Sequence, residues 1–202
     1  MKLPQPSVPS MDITDAFTSR KSQRNFSKKP LELLEVSNLL FYSCGLTDTA
    51  RGARHSRRVQ PSGGALYPVE AYLAVHYGNR ELPEGIYHYN VLDHCLEKLP
   101  QKENISYGLL SSYPWVEDAS CLLIFSFISD RNMPKYGTLS YKLALIEAGH
   151  ISQNAYLVSV AMGLGCCALG TINAELIQAH ADLDGISEVV FHSLAIGGLT
   201  KV

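Results

Sequence analysis

A basic cluster near the start of the chain could hold a phosphate group. It consists of Arg20, Lys21 and Arg24, interleaved with Ser22. These side chains offer several donors to one dianionic phosphate, and the guanidinium groups suit bidentate contact. A short basic run is also typical of solvated surface. The cluster therefore indicates a phosphate site only in combination with other signals.

A tight turn is predicted at Pro61, Ser62, Gly63 and Gly64. Glycine has no Cβ to stop a planar ligand from approaching the main chain, so this turn could leave backbone N–H groups open to such a ligand. Taken alone, these four residues are more typical of a plain loop before a strand.

The adjacent residues Lys135 and Tyr136 are candidates for moving a proton. Both side chains are ordinarily protonated at neutral pH, so a neighbouring charge or the loss of water must activate one of them before it can act as a base. Lys135 beside Tyr136 could provide that activation reciprocally. The alternative is an exposed lysine on a loop beside a tyrosine whose ring packs.

Hydrophobic periodicity predicts an α+β fold rather than a doubly wound one, because the predicted helices and strands do not alternate regularly. Helices are expected at residues 12–19, 31–43, 139–162 and 174–181, and strands at 69–77, 85–90, 95–99, 120–129 and 188–196. Gly45 is expected to end the second helix, and Gly163 with Gly165 to close the third. That third helix is mostly apolar but carries a polar seam, which requires hydrogen-bond partners. The seam consists of Glu147, His150 and Asn154.

The whole-chain composition describes one ordinary globular domain over residues 1–202. Hydrophobic residues make up 46% of the chain and charged residues 18%, and the net charge of -2 gives no general attraction for nucleic acid or anionic lipid. Residues 1–10 contain three prolines and no apolar core, so they match neither a secretory signal nor a membrane span. We expect this segment to be flexible and the protein to be cytoplasmic.

The cysteines indicate reduced, mostly buried thiols. Five are present, spaced like neither a zinc site nor a disulfide framework, so no metal site is expected: Cys44, Cys95, Cys121, Cys166 and Cys167. Redox activity of the neighbouring Cys166 and Cys167 is the alternative to a packing role, although adjacent cysteines rarely form a strain-free disulfide.

Taken in order, the motifs resemble those of the FMN-dependent nitroreductase superfamily. More narrowly, they are similar to the SagB-type dehydrogenases, a subgroup that includes the azoline oxidases accompanying thiazole- and oxazole-forming peptide synthetases. The resemblance covers about residues 19–198. The motifs are RKSxRxF at 20–26, PSGGALYPVEAY at 61–72, GIYHY at 85–89, KYG at 135–137, YKLALIEAGHISQNAYL at 141–157 and GLGCCALG at 163–170.

This resemblance implies a nitroreductase-like three-layer α/β/α fold with a mostly antiparallel central sheet flanked by helices. It also implies an obligate homodimer that binds two FMN molecules in clefts between subunits. The long helix would lie buried in the dimer core, with its polar seam facing the cofactor or crossing the two-fold axis. Structural hydrogen bonding is the alternative for that seam.

The resemblance also assigns roles to individual residues. Arg20, Ser22 and Arg24, with Lys21 adjacent, match the grip on the FMN phosphate and ribityl chain, and Asn154 is a candidate cofactor contact within the seam. The turn Pro61, Ser62, Gly63 and Gly64 matches a segment that contacts the flavin from the partner subunit. Leu169 and Gly170 match a loop whose backbone N–H approaches flavin N5, and Lys201 matches a basic residue that reaches the phosphate. Lys135 and Tyr136 match a catalytic pair.

The implied reaction is oxidation of a thiazoline or oxazoline ring in a peptide to the azole. A hydride would pass from one ring carbon to flavin N5, a protein base would take a proton from the next carbon, and oxygen would reoxidise the flavin. A cyclodehydratase-type synthetase would be the partner protein. Two alternatives stay open: an NAD(P)H-dependent nitro- or quinone reductase, and a non-catalytic flavin-binding scaffold subunit.

Overall fold

A six-stranded antiparallel sheet with helices on both faces organises the chain in a computed structural model, which describes residues 1–7, 9–48, 57–100 and 110–200. The α-helices are α1 (Ile13–Ser19), α2 (Leu33–Cys44), α3 (Met133–Tyr136), α4 (Ser140–Ala161) and α5 (Ala174–Ala181). The strands are β1 (Leu46–Asp48), β2 (Arg57–Arg58), β3 (Val69–Val75), β4 (Gly85–Asn90), β5 (Cys95–Lys98), β6 (Cys121–Ile128), β7 (Leu164–Ala168) and β8 (Glu188–Gly198).

The strand order in the large sheet is β5-β4-β3-β6-β8-β7, while β1 and β2 form a separate two-stranded ribbon. Every pairing in the large sheet is antiparallel, and Leu73 of β3 lies opposite Tyr87 of β4 on one side and Leu123 of β6 on the other. The nearly continuous apolar run of β6 follows from this position, because the strand is central and covered on both faces. The sheet thus confirms the predicted mostly antiparallel arrangement.

Two apolar cores lie on opposite faces of this sheet and define three layers. One core joins the sheet to α2 and α4, and the other joins it to α5 and the 3-10 turn at Pro114–Asp118. Successive residues of β3 point to opposite faces, so Leu73 belongs to the first core and Ala74 to the second. The predicted three-layer α/β/α fold is therefore confirmed.

Local sequence signals explain where the first helices begin and end. The Asp12 side chain accepts the N–H of Thr14 at 2.8 Å and caps α1, and Glu32 with Glu35 forms a capping box at the start of α2. Gly45 ends α2 as predicted. A Cβ at this position would lie 2.5 Å from the carbonyl oxygen of Phe41, so only glycine fits the turn without displacing backbone.

Two features differ from the sequence-based expectation. Gly165 was expected to help close the long helix, but it lies inside strand β7, Leu164–Ala168, which was not predicted. A glycine and a length of five residues hide this strand, whose residues are nevertheless largely buried. Helix α4 is buried on one side only in the single chain. Its opposite side exposes Leu139 at its start, Tyr141, Leu145 and Ile146.

The first residues of the chain lie along β5. The amino group of Met1 donates to the carbonyl of Leu96 at 2.6 Å, and the N–H of Leu3 donates to the carbonyl of His94 at 3.2 Å. Leu3 itself is buried in the core shared with α2. The flexibility of residues 1–10 stays a prediction, and these contacts are the interactions that such flexibility would have to break.

All five cysteines carry free thiols. Four are buried and Cys95 is partly exposed. Burial raises the pKa of Cys44 and of Cys121 to about 12, and it also raises the pKa of Cys166. No helix within the described ranges is both long and apolar enough to cross a membrane.

Candidate active site

The basic cluster leads out of α1 and runs along β7 at one edge of the sheet. Arg20 is the C-cap residue of α1, and three residues later the N–H of Gln23 donates to the carbonyl of Cys166 at 3.0 Å. The close approach needs a glycine in β7, because a Cβ on Gly165 would lie 3.1 Å from the Gln23 Cβ and 2.6 Å from a methyl group of Leu199. The glycine that hides β7 from sequence analysis is thus what lets the basic segment lie on the strand.

Tyr156 of α4 connects this basic segment to the end of β7. Its hydroxyl accepts the N–H of Ala168 at 2.7 Å and lies 3.0 Å from the hydroxyl of Ser22. The Arg20 guanidinium lies 5.4 Å from the centroid of the same ring, a cation–π arrangement. A role for Tyr156 could not be predicted from the sequence, because a tyrosine on a mostly apolar helix is typical of core packing.

The remaining basic residues of the cluster occupy different surroundings. Lys21 is exposed and lines a small cleft with Ser19 and Gln23. The Arg24 guanidinium lies 5.8 Å from the ring centroid of Trp115. The structure therefore joins Arg20 and Ser22 through Tyr156, whereas Arg24 is directed to an indole.

The predicted flavin-facing loop follows β7 directly. The N–H of Leu169 donates to the carbonyl of Ser193 at 2.9 Å, and the Leu169 side chain is buried. That N–H is therefore already engaged within the sheet. Gly170 is exposed, and a Cβ there would lie 3.2 Å from the Tyr113 hydroxyl. Gly170 is thus the residue of the pair better placed to meet a ligand with its main chain.

The Pro-Ser-Gly-Gly turn lies directly beneath the predicted catalytic pair. Gly64 has a φ of 64°, a left-handed conformation that favours glycine. A Cβ on Gly64 would lie 2.6 Å from the Tyr136 hydroxyl and 2.7 Å from the Lys135 Nζ. The Lys135 Nζ also lies 5.2 Å from the centroid of the Tyr136 ring. Two motifs that are distant in sequence thus meet within one chain.

Short irregular elements between β6 and α4 position the pair. Helix α3 spans only Met133–Tyr136 and ends where Gly137 takes a φ of 52°. The buried Asn132 just before it donates its side-chain amide to the carbonyl of Ser140, the first residue of α4, at 3.2 Å. This bond closes the loop that presents Lys135 and Tyr136.

Arg131 ties this loop to the strand that follows the glycine turn. Its guanidinium donates to the carbonyl of Tyr67 at 2.9 Å and forms an ion pair with Glu70 of β3. His88 lies between Glu70 and Glu97, 2.9 Å from an oxygen of each. Burial tends to raise the pKa of the Glu70 carboxyl, but the contacts with His88 and Arg131 outweigh it and hold that pKa below its usual value. Burial tends to lower the pKa of His88, but the contacts with the two carboxylates outweigh burial and raise that pKa above its usual value.

A buried carboxyl group holds the other side of the turn. Glu147 of α4 is 1% exposed, and its carboxyl accepts the hydroxyl hydrogen of Ser62 at 2.5 Å and the side-chain amide of Gln60 at 3.4 Å. The Ser62 hydroxyl in turn accepts the N–H of Tyr67 at 3.0 Å. Burial raises the pKa of Glu147 to about 7, against the opposing effect of its hydrogen bonds and of more distant cations.

The predicted polar seam of α4 does not act as one unit. Glu147 faces the glycine turn, His150 is exposed, and Asn154 donates its side-chain amide to the carbonyl of Ser43 in α2 at 3.1 Å. That bond joins two helices, which is the structural alternative considered for the seam, and a cofactor contact of Asn154 stays a prediction. Lys201 lies outside the described residues.

These residues fit a phosphorylated flavin in donor type and in shape. Arg20, Lys21 and Ser22 provide cationic and hydroxyl donors for a phosphate. At Gly64 and Gly170 other groups approach the main chain closely: a Cβ on Gly64 would collide with the Tyr136 hydroxyl and the Lys135 Nζ, and a Cβ on Gly170 would lie 3.2 Å from the Tyr113 hydroxyl. A planar ring system needs such close approach to backbone.

Comparison with known proteins gives relatives of two kinds. The chain is 30% identical over 176 residues to a nitroreductase-like protein of Methanocaldococcus jannaschii, which covers 84% of each protein. It is 28% identical over 182 residues to the trifolitoxin-processing protein TfxB of Rhizobium leguminosarum bv. trifolii, covering 82% of this chain and 47% of that one. A structure of the Escherichia coli microcin synthetase McbBCD complex with truncated pro-MccB17 bound contains a chain that superposes with a TM-score of 0.76 at 25% identity, covering 100% of this chain and 78% of that chain.

The nitroreductase family model matches residues 17–198, so the chain belongs to the nitroreductase family. Members of this family are FMN-dependent oxidoreductases, and the protein is accordingly a flavin-dependent oxidoreductase. The similarity to TfxB and to a chain of the McbBCD complex agrees with the resemblance to the SagB-type subgroup. This confirms the resemblance inferred from the sequence motifs.

Proposed function

We propose that the protein is an FMN-dependent dehydrogenase that oxidises a thiazoline or oxazoline ring in a peptide to the azole. The observation that carries the proposal is the convergence of the Lys135 amine and the Tyr136 hydroxyl on Gly64 of the glycine turn. A ring system lying on that turn would have both groups beside it. The similarity to TfxB and to a chain of the McbBCD complex supports a peptide substrate and a synthetase partner.

The cofactor would be held by residues of both regions described above. Arg20, Lys21 and Ser22 would hold the phosphate and ribityl chain, and the turn at residues 61–64 and Gly170 would contact the ring. Bound FMN would supply the two-electron acceptor, which takes a hydride at N5. The proposal also includes the weaker assignments to the cofactor: Arg24, Asn154, Leu169 and Lys201.

The chain itself would supply the base. Forming the azole removes a hydride from one ring carbon and a proton from the next, and Tyr136 as a phenolate would accept that proton at its oxygen. The Lys135 ammonium group would act on Tyr136 from its place 5.2 Å from the centroid of the phenol ring. Arg131 would hold the loop that carries the pair against the glycine turn through its bond to the Tyr67 carbonyl.

A homodimer and a cytoplasmic location are further parts of the proposal. Helix α4 leaves an apolar side uncovered in the single chain, with Leu145 45% and Ile146 47% exposed. A second copy packed on this side would bury it, and the glycine turn of one subunit would then meet the basic segment of the other. Exposed apolar side chains clustered on one face commonly mark such an interface.

The decisive experiment begins with the visible spectrum of the purified protein, followed by release and identification of the chromophore. We expect one FMN per chain. With an azoline peptide, Lys135→Ala and Tyr136→Phe should each retain flavin and lose azole formation by at least about 100-fold, because they remove the base or its activating charge. A protein that rejects added FMN would contradict the proposal, as would undiminished turnover in both variants.

Lys98→Ala is the matched control for these variants. The Lys98 Nζ lies 5.7 Å from the ring centroid of Tyr87, which reproduces the lysine-over-tyrosine arrangement on β5 and β4, away from the glycine turn. It removes an equivalent cation–π contact, so azole formation should continue at the wild-type rate. An equal loss in this variant would show that the Lys135 effect reflects general destabilisation.

An NAD(P)H-dependent nitro- or quinone reductase is the second candidate. The nitroreductase-like relative of Methanocaldococcus jannaschii favours it, since that similarity spans 84% of both chains. Anaerobic addition of NADH or NADPH separates the two functions. Rapid bleaching of the bound flavin would support the reductase, whereas bleaching by an azoline peptide alone would support the dehydrogenase.

A further inference from the structure

Glu147 is a buried acidic residue that has only neutral partners in direct contact. Its carboxyl is bonded to the Ser62 hydroxyl at 2.5 Å and to the Gln60 amide at 3.4 Å, and no ion pair to it is present in the described parts of the chain. A carboxylate without an adjacent cation is expensive to bury, whereas a protonated carboxylic acid is much less so. The surroundings therefore favour the neutral acid.

Gln60 offers an acceptor for the extra proton. This side chain is 1% exposed, and its Oε1 has no hydrogen-bond partner among the described residues. The two ends of an amide are interchanged by rotation about the last side-chain torsion. In the rotated orientation the Gln60 Oε1 would face the acid and accept the carboxyl hydrogen, in place of the 3.4 Å contact from the amide nitrogen.

The titratable and charged groups around Glu147 come from four elements. Cys44 of α2 carries a thiol that its burial keeps protonated, with its pKa raised to about 12. Arg58 of β2 and Arg131 before α3 favour the ionised carboxylate from a distance, and Glu70 of β3 already pairs with Arg131. Burial outweighs the two arginines, which leaves the pKa of Glu147 at about 7.

The acid acts on the glycine turn through one serine. Ser62 donates its hydroxyl hydrogen to Glu147 and accepts the N–H of Tyr67 with the same oxygen, so its orientation is fixed from both sides. The carbonyl of Ser62 also accepts the N–H of Ala65. Gly64, beneath the catalytic pair, lies inside the loop that these bonds close. Glu147 does not touch the pair itself.

We propose that Glu147 is a positioning residue that fixes the flavin-facing turn through Ser62, and that it does so as a neutral acid sharing its proton with Gln60. The assignment of the turn to flavin rests on the proposed function. Ionisation of Glu147 places a charge where the neutral site excludes water, so the turn loosens and the affinity for FMN falls.

Infrared difference spectroscopy between about pH 6 and about pH 8 tests the protonation state directly. The wild type should lose a carboxylic acid carbonyl band as the pH rises, and the same band should be absent from Glu147→Gln at both values. The proposal would be overturned if Glu147→Gln showed the same band as the wild type, or if the wild type showed no such band.

Titration of FMN into the flavin-free protein across the same pH range tests the effect on the turn. We expect the wild-type dissociation constant to rise about tenfold through the titration of Glu147, which corresponds to about 1.4 kcal/mol. Glu147→Gln should keep the low-pH value throughout, because the amide imitates the neutral acid. A wild-type profile that Glu147→Gln merely repeats would refute the role of this residue.

Ser62→Ala provides the second variant, and it keeps the proposal testable if Glu147→Gln fails to fold. It should weaken FMN binding at every pH and remove the pH dependence, and the double variant should be no weaker than Ser62→Ala alone. Additive losses would overturn the proposed coupling. If the protein binds no FMN but shows the acid band and pH-dependent exchange of the Tyr67 amide, the proposed function fails while the Glu147–Ser62 link stands.

Discussion

In both regions of the candidate site a backbone N–H donates to a side-chain hydroxyl, which is in turn bonded to a second side chain. The two regions differ in what that second side chain is. In the basic region, the N–H of Ala168 donates to the Tyr156 hydroxyl, which pairs with the hydroxyl of Ser22. In the glycine-turn region, the N–H of Tyr67 donates to the Ser62 hydroxyl, which is bonded to a carboxyl group. The first connection ends in an exposed neutral group and the second in a buried acid.

This difference separates binding from chemistry in physical terms. Hydroxyl groups do not titrate near neutral pH, so the hydrogen bonds that hold the backbone of the basic region should not change across that range. The glycine turn depends on the protonation of Glu147 and on the absence of a side chain at Gly64. Perturbations of the turn should therefore act more strongly and with more dependence on pH than those of the basic region.

The largest effect is expected from Gly64→Ala, which breaks the turn region. The new Cβ would overlap the Tyr136 hydroxyl and the Lys135 Nζ, and alanine is strained at a φ of 64°. Turnover should fall about 100-fold, equivalent to about 2.7 kcal/mol. Gly63→Ala is the matched control, because its Cβ would meet only a Leu143 methyl at 3.3 Å and should cost far less. Similar losses in both variants would contradict the fit described for Gly64.

Arg131→Ala should loosen the same region from behind. It leaves Glu70 buried with only His88 as a partner, and its expected cost in the free energy of unfolding is about 2 kcal/mol. This is below the usual cost for a fully buried pair because the Arg131 side chain is 35% exposed. Chemical denaturation measures the change. Lys28→Ala removes the exposed pair with Asp118 and should leave stability unaltered.

Tyr156→Phe tests the basic region and should have a smaller effect. It removes a hydroxyl that bonds both Ala168 and Ser22 but keeps the ring beneath Arg20, so the free energy of unfolding should drop by about 1 kcal/mol. FMN binding should weaken without a change in pH dependence. Tyr42→Phe is the control, since its hydroxyl makes no hydrogen bond to another described residue. A stronger effect than that of Gly64→Ala on turnover would reverse the comparison.

The smallest effect, and the one that sharpens the comparison most, is the pH dependence of amide exchange. The pKa of Glu147 is about 7 in the folded chain against an ordinary value of 4.5. Its contribution to stability is therefore complete below pH 4.5, declines as the pH rises, and is lost above about pH 7. After correction for intrinsic rates, protection of the Tyr67 amide should fall across this window while that of Ala168 stays constant. Glu147→Gln should abolish the difference.

The sequence predicted the elements far better than the contacts between them. Residues 85–90 and 174–181 form the predicted strand and helix without displacement, because flanking turns and apolar periodicity mark both clearly. Strand β7 was missed because a run of five residues that includes a glycine carries no periodic signal. Its burial comes from β8 and from the basic segment laid across it, and neither contact is local.

Long-range pairing also limited what could be predicted of the candidate site. The residue types of the turn and of the Lys135–Tyr136 pair were evident, but nothing in their spacing shows that one lies above the other. Tyr156 could not be distinguished from a core tyrosine, since its partners Ser22 and Ala168 belong to other elements. Glu147 was noted only as a buried polar residue in need of a partner, and the structure supplies Ser62.

The placement of the cysteines bears on how long such an enzyme would survive its own turnover. A flavin that passes its electrons to oxygen generates hydrogen peroxide beside the protein, and peroxide attacks cysteine as the thiolate. Burial keeps Cys44, Cys121 and Cys166 protonated, and Cys167 is buried with them. Oxidative damage would therefore begin at the partly exposed Cys95, far along the sheet from β7, and the thiols next to the basic segment would be spared.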